Sequence, residues 1–181
     1  MNETLTHPAP ALSPSFDRAR MLSRIMALLF TIAFWLIAAV LACLPLMLVW
    51  PMDAGLTING ELVRYADLTR GQQFLAFLAA ALNLAAALPL MHHLRRAFGA
   101  FARGEVFSSA TIVHIRSTGI WLIACFLAGV ATVPLMIGAG LHDAEQMPVD
   151  FWPLFTGLTT FIAAHVMTEA SRIAADHAEI V

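Results

Sequence analysis

The chain has 181 residues, of which 60% are hydrophobic and 12% charged, with a formal net charge of −2. Soluble domains carry roughly 25% charged residues, so a water-soluble globule is excluded. The ten basic residues are all arginine and lie close to apolar runs, which also excludes a nucleic-acid-binding patch.

Four apolar runs organise the sequence: Ile25–Trp50, Phe74–Leu94, Ile120–Leu141 and Phe151–Thr168. A bilayer core of ~30 Å needs about 20 helical residues. Three runs reach that length and the fourth is just long enough. The expected fold is an all-α integral membrane bundle of four transmembrane helices, with the lipid bilayer as its first partner. Residues 1–14, rich in Pro, Thr and Ser, read as a disordered tail, and 15–181 as one domain.

In chain order, Ser15 is the expected N-cap of a lead-in to the first span. That span exceeds the ~7–15 residues of a signal-peptide core, and Trp50-Pro51-Met52-Asp53 is no cleavage site, so it reads as a retained helix. Pro45 is expected to kink it. Leu56–Tyr65 is the one candidate for sheet, with Asn59-Gly60 signalling a type I′ hairpin. Thr69 and Gln72 fit a capping box that opens the second helix. Ala76/Ala80 and Ala81/Ala85 are the spacing that lets helices approach closely, and Asn83 is expected to bond between helices.

The second helix should run past Leu94 to about Arg103, where Gly104 suits a left-handed cap. Ser108 is the next N-cap, with Phe107 and Ile112 spaced as a hydrophobic staple. Spans two and three thus form an antiparallel hairpin projecting roughly 10 Å beyond the membrane. Gly129, Pro134, Gly138 and Gly140 make span three a poor straight rod. Asp150 is expected to cap span four, with Trp50, Phe151 and Trp152 in an outer aromatic belt. The tail 169–181 should continue as a polar helix. Cys43 and Cys125 fall inside spans and read as packing residues.

Arginine placement sets the expected topology. Arg18, Arg20, Arg24, Arg95, Arg96, Arg103, Arg116 and Arg172 share one side, and only Arg64 and Arg70 the other. By the positive-inside bias, both termini and the 95–118 hairpin are cytoplasmic.

The hairpin reads Leu94-Arg95-Arg96-Ala97-Phe98-Gly99-Ala100-Phe101-Ala102-Arg103-Gly104-Glu105-Val106-Phe107-Ser108, followed by Ile115-Arg116 and Gly119. With the tail Glu169-Ala170-Ser171-Arg172-Ile173 and Glu179-Ile180-Val181, it resembles a bacterial family of small four-helix membrane proteins, domain of unknown function 2975. The resemblance implies a multi-pass protein of the bacterial inner membrane with no established activity. It also implies a small helix-turn-helix regulator as a cytoplasmic partner. Ala174-Ala175-Asp176-His177 departs from the more acidic tail expected of that family, which puts a role for those acids in doubt.

Two constellations carry candidate chemistry. His165 and Glu169 share a helix face at the inner end of span four and, with Asn83, form a candidate intramembrane polar site. The bland reading pairs Glu169 with Arg95, Arg96 or Arg116. His92, His93 and His114 flank the hairpin in no recognised ligand spacing, so no metal or other cofactor is expected. The expected docking surface is Arg95, Arg96, Phe101, Arg103, Glu105, Phe107 and Arg172. No nucleophile–base pattern or nucleotide loop occurs, so no enzyme is expected. The leading expectation is a non-catalytic regulatory or scaffolding protein. The alternative is a small transporter or ligand-binding bundle, acting as a homo-oligomer and using His165 and Glu169.

Overall fold

A computed structural model describes residues 14–49, 55–58, 61–141 and 149–178. Helix α1 (Pro14–Val49) is followed by strands β1 (Gly55–Ile58) and β2 (Glu61–Arg64). A 3-10 turn (Tyr65–Asp67) leads into α2 (Arg70–Arg103), then α3 (Ser109–Gly138) and α4 (Trp152–Ala178). The expected tail, the Asn59-Gly60 turn, Trp50 and the last three residues lie outside the described residues. So does the Ser15 side chain.

The molecule is predominantly helical, and α1, α2 and α3 are long and apolar enough to cross a membrane. At 36, 34 and 30 residues they measure about 54, 51 and 45 Å, more than a bilayer core requires. Among the described residues the helices form an open row, not a closed bundle. α1 packs on α2, α2 on α3 and α3 on α4, with no comparable contact between other helix pairs. Away from α2, α1 meets no helix to a comparable extent among the described residues, and Leu28, Leu29, Ile32, Leu36 and Val40 are exposed along it.

α1 begins at Pro14, so Ser15 lies inside the helix and is not its N-cap; the other helix ends follow their sequence signals. Thr69 Oγ1 accepts from the Gln72 N–H, and Gln72 Oε1 accepts from the Thr69 N–H at 3.0 Å, completing the capping box. Gly104 (φ 84°) closes α2, with its N–H donating to the Phe101 carbonyl and that of Glu105 to the Ala100 carbonyl. Ser108 Oγ accepts from the Thr111 N–H at 3.2 Å and opens α3. The Asp150 carboxylate accepts from the Trp152 N–H at 3.0 Å and opens α4. α3 ends in the same way as α2. Gly140 (φ 65°) and Leu141 donate to the Ile137 and Met136 carbonyls, and Leu141 is buried against Tyr65, Ala76 and Ala139.

Pro45 and Pro134 lie within α1 and α3, and both helices continue past them. Two local expectations are corrected. The buried alanines of α2 are Ala76, Ala79, Ala86, Ala97 and Ala100. Their steps are mostly threes and sevens, the heptad-like seam of neighbouring helices, so Ala80 and Ala85 face outward. Cys43 is exposed and does not pack in a core.

Two contacts fix the row. A Cβ on Gly119 would stand 2.8 Å from the Gly157 carbonyl oxygen and the Phe161 nitrogen, and one on Gly157 would stand 2.9 Å from the Gly119 oxygen. α3 and α4 therefore meet backbone to backbone, and any side chain at either position would force them apart. At the end near β2, Tyr65 and Gln73 are buried at 5% and 3% exposure. Tyr65 Oη donates to the Gln73 carbonyl at 2.9 Å, and Gln73 Nε2 donates to the Tyr65 and Leu68 carbonyls at 3.0 and 3.1 Å. Burial raises the Tyr65 phenol above its ordinary value, partly offset by Arg70. Arg70 donates to the Leu48 carbonyl at 3.1 Å, and Gln72 Nε2 to that of Ala139 at 2.9 Å. One short stretch of α2 thereby ties down the ends of α1 and α3.

Candidate functional site

The opposite end, around the α2–α3 turn, carries most of the arginines. The turn is rigid for local reasons. Thr111 is fully buried, and its hydroxyl donates to the Glu105 carbonyl at 2.7 Å. Arg103 Nε and Nη2 each donate to one oxygen of the Glu105 carboxylate at 3.0 Å, the two-pronged geometry a planar guanidinium favours. That pairing holds the Glu105 carboxyl below its ordinary range. Arg20 of α1 reaches the turn as well, lying beside Gly104 at a distance that leaves no room for a Cβ.

Above the turn, α1, α2 and α3 border an open cavity of about 530 Å³. Arg95, Arg96, Arg103, Thr31, Thr111 and His114 contribute to its wall, and Glu105 is the one carboxylate there. The Arg95 guanidinium lies 4.4 Å from the centre of the Phe34 ring and donates to His92 Nδ1 at 3.2 Å. Arginine can only donate, so His92 is neutral and carries its proton on Nε2. His93 Nδ1 and His114 Nδ1 are 3.2 Å apart, so one of them donates to the other. Phe30 stacks on Phe98 at 5.4 Å between centroids, which seats α1 against this part of α2.

A second hollow, about 410 Å³, opens between the near ends of α3 and α4. Phe107, Ile112 and Val113 line it with Arg116, Thr168 and Ser171. Phe107 is 67% exposed although it is a large apolar side chain. It shares this hollow with Ile112, its expected staple partner.

The expected docking residues are thus divided between two faces. Arg95, Arg96, Arg103 and Glu105 gather on the cavity between α1, α2 and α3. Phe107 stands over the α3–α4 hollow. Phe101 turns toward α1, 5.8 Å from Phe98 between ring centroids, in a small recess with Ala19, Arg20 and Ser23. Arg172 is largely exposed and pairs with Glu169 at 3.1 Å along its own helix.

The expected intramembrane polar site is not assembled. Asn83 is exposed, and its amide donates to the Ala79 carbonyl of its own helix at 2.9 Å rather than to a neighbour. His165 is exposed on α4, and the partner of Glu169 is Arg172, not Arg95, Arg96 or Arg116. None of the three lines the cavities described above. Among the described residues, no group of three or more His, Cys, Asp or Glu side chains is placed to hold a metal ion.

Sequence reasoning did not find the cavity as such, because its arginines read as a membrane-edge charge bias and as an exposed docking surface. The signal was the coincidence of Arg95, Arg96 and Arg103 on one helix with His114 opposite. The Gly119–Gly157 crossing was also missed, since each helix supplies a single glycine and no spacing within either one marks it. No family model, curated protein or solved structure matches the chain.

Proposed function

We propose that this chain is a non-catalytic regulatory or scaffolding protein of the bacterial inner membrane. In this reading it crosses the bilayer four times, with both termini and the α2–α3 turn in the cytoplasm. α4 supports a fourth crossing by its 27 residues, about 40 Å of helix. It also exposes Phe155, Leu158, Ile162 and Val166, and meets α3 through glycine as membrane helices do. Orientation rests on the eight-to-two division of arginines.

The observation that carries the docking role is Phe107. It is a two-thirds exposed aromatic on a locked turn beyond the apolar spans, set over an apolar hollow rimmed by Arg116. At a water-facing turn, lipid does not cover such a ring, and aromatic anchors beside pockets are what partner proteins bury. The partner class is a small helix-turn-helix regulator, on the family resemblance of the hairpin sequence.

Binding of the detergent-solubilised full chain to a candidate regulator of that class tests this reading. Phe107→Ala should weaken binding by roughly 30-fold, the loss expected of a hot-spot residue worth about 2 kcal/mol. Unchanged affinity in Phe107→Ala, with the variant still folded, would remove the docking role.

A further inference from the structure

We infer that the cavity between α1, α2 and α3 binds a phosphate-bearing anion, and that the source is the headgroup of an anionic phospholipid. The argument begins with charge. Three guanidinium groups and an imidazole line the cavity against a single carboxylate, and Arg103 already grips that carboxylate with both prongs. Among the described residues, no carboxylate pairs with Arg95 or Arg96. Arg95 and Arg96 thus bring two guanidinium groups to one cavity with no counter-anion among the described residues, and phosphate is the anion their planar forks fit best.

Donor geometry agrees. Arg95 is held by the Phe34 ring and by His92, which uses one of its five N–H donors and leaves the others available. His114 engages His93 through Nδ1. With His93 donating, the His114 proton sits on Nε2, and an anion in the cavity favours that tautomer. At about 530 Å³ the cavity is within the ~300–1,000 Å³ usual for small-molecule sites.

Position favours a lipid over a soluble phosphate compound. Thr31 forms part of the wall, and Ile32, Trp35 and Leu36 are exposed on the membrane-ward side of it along the same helix. A phospholipid can place its phosphate among the arginines and lay its acyl chains along that face. Basic hollows between helices at the inner membrane edge are suited to anionic headgroups. This inference is independent of whether a protein docks at Phe107.

The test uses the full chain purified in a neutral detergent. Phosphatidylglycerol, phosphatidylcholine or inorganic phosphate is added, and retained adducts are read by native mass spectrometry with thermal unfolding alongside. Wild type should retain phosphatidylglycerol in clear preference to phosphatidylcholine. Arg96→Gln, which removes a group with no carboxylate partner among the described residues, should lose about fivefold, and Arg95→Gln/Arg96→Gln about 25-fold. Arg172→Gln, outside the cavity, should bind as wild type. Stabilisation by inorganic phosphate that both arginine variants lose, with no preference for phosphatidylglycerol, would keep the anion site and reassign its source to a soluble phosphate. Arginine variants that remain folded and bind both probes as wild type would overturn the inference, as would a wild type that binds neither.

Discussion

At the end where α2 begins, Tyr65, Arg70, Gln72 and Gln73 direct their polar groups to backbone carbonyls of α1, α2 and α3 and the turn before α2. At the end where α2 stops, three arginines line an open cavity, and among the described residues only Arg103 has a carboxylate partner there. The first end resembles a protein interior, in which buried polar atoms are satisfied internally. The second holds donors in excess of the acceptors that the described residues supply there. Satisfied polar groups set helix register, whereas surplus donors in a formed cavity suit an external acceptor. A single protein thus separates the part that defines its fold from the part that can bind.

The largest expected effect tests what joins the two ends to α4. Gly119→Leu drives a side chain into the backbone of Gly157 and Phe161, and should cost about 3 kcal/mol or more. Thermal unfolding in detergent, with cross-linking between α3 and α4, would show it. Gly129→Ala is the internal control, since a Cβ there meets nothing within 4 Å. Equal tolerance of both substitutions would mean that α3 and α4 are not in backbone contact.

Next in size is Gln73→Ala at the satisfied end. It strands the Leu68 carbonyl and removes one of the two donors to the Tyr65 carbonyl, which keeps the Leu68 N–H, and should cost roughly 1–3 kcal/mol. Unfolding midpoints would fall accordingly, with no change in anion binding at the far end. A loss of anion binding in a still-folded Gln73→Ala would break the separation proposed above.

The smallest effect belongs to Glu105. The Arg103 hydrogen bonds lower its carboxyl in the folded state. Its contribution is therefore complete above the unfolded carboxyl pKa of about 4.3 and is lost as pH falls through the lower folded value. The pair is fully solvent-exposed, so screening keeps that contribution small. Glu105→Gln should leave the unfolding midpoint at neutral pH nearly unchanged and should remove this part of the wild-type decline in acid.

Much of this architecture was legible in the sequence, because the signals were local. Thr69 with Gln72, Gly104, Ser108 and Asp150 each act within one helical turn, and each marks a helix end in the structure. Apolar run length pointed to four spans, and three of those helices are long and apolar enough to cross a membrane. Contacts between elements were not legible. Gly119 meets Gly157, Gln72 reaches Ala139 and Arg95 lies over Phe34 only after helices pack. Asn83 illustrates the converse. Its mid-span position suggests an interhelical bond, but the Ala79 carbonyl one turn back is the nearer acceptor.

The account depends most on the α2–α3 turn lying on the cytoplasmic side of a membrane. Replacing Cys43 and Cys125 with alanine and introducing Phe107→Cys or, separately, Asp67→Cys allows labelling by a membrane-impermeant maleimide. In intact cells the label should reach position 67 and should reach position 107 only after permeabilisation. Labelling of position 107 from outside intact cells would contradict the orientation, and with it the assignment of both the arginine cavity and the Phe107 hollow to the cytoplasmic face.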